Sequence, residues 1–81
     1  MIDSTDTGEH IDTIVADRLR VETESFDDST ELKGETLDAE SLDLVELAEV
    51  IEADLGVHIP DEDLAEIERV GGLKEYVRER V

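Results

Sequence analysis

One stretch constrains the fold more than any other. From Ser41 to Gly56 the apolar residues Leu44, Leu47, Ala48, Ile51 and Leu55 recur at helical intervals. They form a single stripe on an α-helix, which is stable only against another apolar surface. Gly56 suits a left-handed C-terminal cap. The matching surfaces lie elsewhere in the chain. Ile11, Ile14, Val15 and Leu19 repeat at helical spacing, with Asp6 or Thr7 as caps, Glu9 in the positive first turn, and Arg18 and Arg20 at the negative end. A last helix beginning near Gly71-Gly72 turns Leu73, Tyr76 and Val77 inward, and Val81 extends that stripe. Between them, Val57-His58-Ile59-Pro60 is extended, because Pro60 disfavours helical geometry at Ile59. Asp61 to Ile67 then forms a short acidic helix or turn with Leu64 and Ile67 inward. Nothing alternates with period two over a strand's length. The expected fold is all-α, a small four-helix bundle of three main helices plus one short helix.

The 81 residues make one domain, 1–81, with a loose start over 1–7 and a long loop over 22–36 pinned by Phe26 and Leu32. A domain this small has no room for a cleft between lobes, so a carrier, adaptor or binding module is favoured over an enzyme. Acidic residues number 25 against 7 basic, a net charge of −18. Such a charge repels itself over ~30 Å at 0.01 M salt but over only ~3 Å at 1 M. The balance suits a salt-rich cytoplasm. It argues against nucleic acid as a partner, since phosphates need Lys and Arg, and it favours basic proteins. There is no cysteine, no apolar run long enough for a membrane span, and no basic-then-apolar start of a signal peptide. A cytoplasmic monomer is expected.

Catalytic and metal constellations do not assemble. His10 and His58 sit on different segments without ligand spacing. Asp61-Glu62-Asp63 opens like a calcium loop, but Glu66 stands where its sixth-position glycine belongs. Ser41, His58 and an acid could be written as a triad, yet no oxyanion-hole glycine motif adjoins Ser41. By position alone Ser41 is a helix N-cap; the other reading is a hydroxyl held in solvent. Leu42 and Val45 fall off the stripe toward Asp43, Glu46, Glu49 and Glu52. Either the stripe is wide, or a partner uses them.

Leu37-Asp38-Ala39-Glu40-Ser41-Leu42-Asp43-Leu44-Val45-Glu46-Leu47, followed by Ile51-Glu52 and Leu55-Gly56-Val57-His58-Ile59-Pro60-Asp61-Glu62, closely resembles acyl carrier proteins. The resemblance runs on through Ile67–Val70 to Leu73, Tyr76 and Val77, and reaches the first helix only by pattern. It implies that Ser41 carries 4′-phosphopantetheine through a phosphodiester, installed by a phosphopantetheinyl transferase. The arm's thiol would hold acyl groups as thioesters, which the chain presents to acyl-transferring and acyl-chain-modifying enzymes without catalysing anything. The matching recognition residues are Glu40, Asp43, Glu46, Glu52 and Asp61, with Leu42, Val45 and Ile59 as apolar contacts. In molar salt, where charge steering is screened, those apolar contacts are expected to carry more of the binding. A peptidyl or aminoacyl carrier with the same arm, or an unmodified acidic interaction module, are the alternatives. Several positions depart from the family pattern. Glu40 replaces the usual Asp, Asp38 a common glycine, Glu49 an often apolar residue, and Arg69 a frequent Ser or Thr cap, which implies a ragged start to the last helix. Ser29 to Glu35 reads as an insertion.

Overall fold

The structure is a computed structural model describing residues 4–81, and it is all-α. Its elements are α1 (Ser4–Leu19), a 3₁₀ turn (Thr23–Ser25), α2 (Ser41–Leu55), α3 (Asp61–Leu64) and α4 (Val70–Arg78). Among the described residues there is no strand, only an isolated antiparallel bridge between Glu31 and Arg69. Helix α1 packs against both α2 and α4, and α3 lies against α2. Every predicted stripe contributes to one core: Ile11, Ile14 and Val15 of α1, Leu44, Leu47 and Ile51 of α2, Leu64 of α3, and Leu73 and Val77 of α4.

The helix ends correct the sequence reading in three places. Helix α1 already includes residues 4–7, so Asp6 and Thr7 lie inside it rather than capping it, and Thr7 is buried. The expectation of a loose start therefore fails over 4–7, and its remainder lies outside the described residues. At the other end of α1, Arg20 takes the left-handed conformation (φ 59°), and the Val21 N–H reaches back to the Ala16 carbonyl at 3.0 Å. That pattern normally employs glycine. Val81 lies beyond the last turn of α4 and is exposed, so it adds nothing to the stripe. The cap at Gly56 is as predicted, with φ 73° and its N–H bonded to the Glu52 carbonyl at 2.9 Å.

The long loop is docked, not loose. Phe26 and Leu32 are buried in the core as expected. Backbone bonds do the rest. The Leu32 N–H donates to the Glu68 carbonyl at 2.8 Å, the Val70 N–H to Thr30 at 3.0 Å, and the Gly71 N–H to Asp28 at 2.8 Å. The first N–H groups of a helix have no partner within it. Here loop carbonyls supply two of them, so α4 starts cleanly although Arg69 provides no side-chain cap. The close approach depends on Gly71, where a Cβ would stand 2.9 Å from the Asp28 oxygen. One turn on, buried Lys74 closes the clasp. Its Nζ lies 2.6 Å from Asp28 Oδ1 in the loop and 2.8 Å from Asp12 Oδ1 on α1. Burial alone would lower its pKa, but the bonds to Asp12 and Asp28 outweigh burial and raise it above the usual lysine value.

Candidate functional site

The chain reaches Ser41 along a fixed path. Leu37 and Ala39 point into the core while Asp38 between them is exposed. The Asp38 N–H donates to the Gly34 carbonyl at 2.7 Å, and the Ala39 N–H to Leu32 at 2.9 Å. Asp38 adopts a left-handed φ of 49°, which explains why glycine would suit this position and why a short polar residue is tolerated there.

Glu40, not Ser41, is the N-cap of α2, with extended backbone (φ −93°, ψ 170°). Its N–H donates to Asp43 Oδ2 at 2.9 Å, and its carbonyl accepts the first helical bond from Leu44. Ser41 is therefore the first residue of the helix proper. It is exposed, and its hydroxyl has no hydrogen-bond partner among the described residues. The capping expectation for Ser41 is corrected; the reading of a hydroxyl held in solvent is the one the geometry bears out.

The stripe on α2 is not wide. Leu42 is 66% exposed and Val45 37%, beside exposed Glu49 and Glu52. Glu40 and Asp61 are exposed at the same end, while Asp43 and Glu46 are half-buried. Besides Asp43, which accepts from the Glu40 N–H, two of the carboxylates are engaged by side chains. Glu46 Oε2 accepts from Arg18 Nη2 of α1 at 2.6 Å, and Glu52 Oε1 lies 3.0 Å from His58 Nδ1. Ile59 departs from expectation: it is only 3% exposed and belongs to the core. The extended segment before Pro60 alternates, so Val57 and Ile59 turn inward and His58 outward. Ile59 supports the surface from beneath and offers no contact of its own.

Beside Ser41 a cavity of about 120 Å³ runs between α2 and α3, floored by Leu44, Val45, Leu64 and Ala65. It adjoins a second of about 290 Å³ that shares Leu44, Leu64 and Ala65 and ends at Ile67. Lys33 lines both. Sequence reasoning missed Lys33 and Arg18 as neighbours of the site, since both arrive through the tertiary fold. Among the described residues no cluster of His, Asp or Glu is placed to hold a metal ion, and no helix is long and apolar enough to cross a membrane. His58 is engaged with Glu52 and does not line the cavity beside Ser41, so no imidazole is placed there to act as a base. An exposed, uncommitted hydroxyl at a helix start, where N–H groups favour an anion, fits a phosphodiester attached from outside.

Comparison with known proteins places the chain among carriers of one family. The family described as "Phosphopantetheine attachment site" matches residues 9–77. An acyl carrier protein of Treponema pallidum is 38% identical over 68 residues, covering 84% of this chain and 86% of that protein. An acyl carrier protein of Thermosynechococcus vestitus is 36% identical over 73 residues, covering 90% and 89%. Among solved structures, the acyl carrier protein of Enterococcus faecalis superimposes with a TM-score of 0.80 at 24% identity, over 99% of this chain and 100% of that one. A free-standing peptidyl carrier protein from Acinetobacter baumannii gives 0.78 at 21% identity, over 95% and 94%.

Proposed function

Since this chain belongs to the acyl carrier protein family, whose members bear covalent 4′-phosphopantetheine, we propose that Ser41 carries the arm and that the chain delivers acyl groups for fatty-acid or related acyl biosynthesis. The observation that carries this reading is the exposed, unbonded hydroxyl of Ser41 at the first turn of α2, opening on an apolar groove. The arm supplies a thiol that holds its cargo as a thioester. Everything else falls to the chain's own residues, which orient and present the cargo and catalyse nothing. Acyl cargo is preferred to aminoacyl cargo because the relatives matched along most of their length are acyl carriers.

The whole chain acts as one carrier domain and a monomer, in a salt-rich cytoplasm. A phosphopantetheinyl transferase and the acyl-handling enzymes meet it at Glu40, Leu42, Asp43, Val45, Glu46, Glu52 and Asp61. Glu46 meets a partner in competition with Arg18, and Glu52 in competition with His58. The exposed Leu42 and Val45 face no such competition.

Loading decides the matter. Incubated with coenzyme A and a transferase in high salt, the protein gains the mass of the arm, and Ser41→Ala gains none. A folded wild-type protein that stays unmodified points instead to an acidic interaction module.

A further inference from the structure

We propose that Lys33 is the positioning residue for the arm's phosphate, an assignment that rests on Ser41 being the attachment point. Lys33 and Ser41 line one cavity of about 120 Å³. A phosphodiester on Ser41 therefore borders a space that Lys33 also lines.

The charge balance calls for such a group. A phosphodiester brings a negative charge to a helix end already flanked by the exposed carboxylates of Glu40 and Asp61. Most of the cations in this acidic chain are committed. Arg18 holds Glu46, Arg69 holds Glu31, Arg80 lies beside Glu79, and buried Lys74 holds Asp12 and Asp28. Lys33 makes no salt bridge among the described residues and is exposed. The carboxylates of Asp61 on one side, and Glu31 and Glu68 on the other, share its cavities without pairing with it.

Its placement is built into the fold. Leu32 is buried and tied on both sides, its N–H to Glu68 and its carbonyl to the Ala39 N–H. Gly34 is tied through its N–H to Glu31 and through its carbonyl to the Asp38 N–H. Both neighbours of Lys33 are thus bonded to the segment that delivers Ser41. The backbone that carries Lys33 is thereby tied to the backbone that carries Ser41. A lysine acts here as a point charge on a flexible stem, able to follow the phosphate while the arm swings. By drawing the phosphate to the groove side, it sets the root of the arm over Leu44 and Leu64.

The test uses apo and loaded protein, with the arm located on Ser41 by fragmentation. Each is exposed briefly to an acetylating reagent, and modification is read peptide by peptide. An exposed charge pair slows Lys33 acetylation in the loaded form by about two- to five-fold, through the smaller fraction of neutral amine. A lysine peptide added to the same reaction serves as the reference. The ³¹P resonance of loaded protein should shift in Lys33→Gln and stay near the wild-type position in Lys33→Arg. Equal Lys33 reactivity in apo and loaded protein, or a ³¹P resonance indifferent to Lys33→Gln, overturns the assignment and leaves the carrier reading intact. An unloaded Ser41 overturns the carrier reading and this assignment with it.

Discussion

Lys74→Met should remove the clasp that joins α1, the long loop and α4, and its cost can be worked from the geometry. The ammonium is buried and sits 2.6 Å from Asp28 and 2.8 Å from Asp12. Breaking a fully buried pair costs ~3–5 kcal/mol, because a charge is left without a partner. Here the stranded carboxylates can rehydrate, since the Asp12 side chain is 29% exposed and that of Asp28 59%. Methionine keeps most of the aliphatic volume, so packing loss is small. The discounted cost is about 2–3 kcal/mol, or a melting temperature lowered by about 10–20 °C for a domain of this size. The assay is urea and thermal unfolding followed by circular dichroism at neutral pH, in low and in molar salt. Arg18→Ala serves as the exposed comparison, costing less than ~1 kcal/mol and nearly nothing in molar salt. The Lys74 pKa is raised by folding. Its contribution is therefore fully present below the unfolded lysine value of ~10.4 and is lost as pH rises through the higher folded one. A Lys74→Met cost below ~0.5 kcal/mol, or one that fades in molar salt as Arg18→Ala does, would refute the buried clasp.

Four further outcomes follow from the same structure. Gly71→Ala should destabilise the fold by about 1–3 kcal/mol in urea unfolding, because its Cβ meets the Asp28 carbonyl at 2.9 Å and the loop must retreat. Asp38→Gly should stabilise by up to ~1 kcal/mol in the same assay, since φ 49° suits glycine and one negative charge is removed. With a partner enzyme at high salt, Val45→Ala or Leu42→Ala should reduce turnover more than Glu46→Ala, because the exposed apolar contacts survive screening. Wild-type helicity and melting temperature should rise from dilute buffer to molar salt, and a flat circular dichroism response would contradict the link between the −18 charge and salt.

The helices were legible because their cause is local. The stripes of α1, α2 and α4 and the glycine at 56 carry their own geometric meaning. Ser41 was legible as a candidate site only through its neighbours, and its role as a cap was misread. Serine is a good cap, but a Glu40 whose N–H is held by Asp43 takes the cap position one residue earlier. Ile59 was assigned to the surface by resemblance, although alternation before Pro60 already implied that it turns inward with Val57. That the long loop docks was legible in Phe26 and Leu32, but its bonds to α4 were not. Main-chain carbonyls at Asp28 and Thr30 make its bonds to α4, and any sequence supplies those. Lys74 reaches residues 62 and 46 positions away, pairings that no local pattern encodes. The nearness of Lys33 to Ser41 arises the same way, from a loop folded back onto α2 and α3.

The central claim is that Ser41 bears the arm, and intact-protein mass spectrometry on protein purified from its own source tests it most directly, with fragmentation to place any adduct. A phosphopantetheine adduct on Ser41 is the expected result, and any further mass on its thiol identifies the cargo. Protein recovered folded and unmodified, or modified at a residue other than Ser41, would contradict the account.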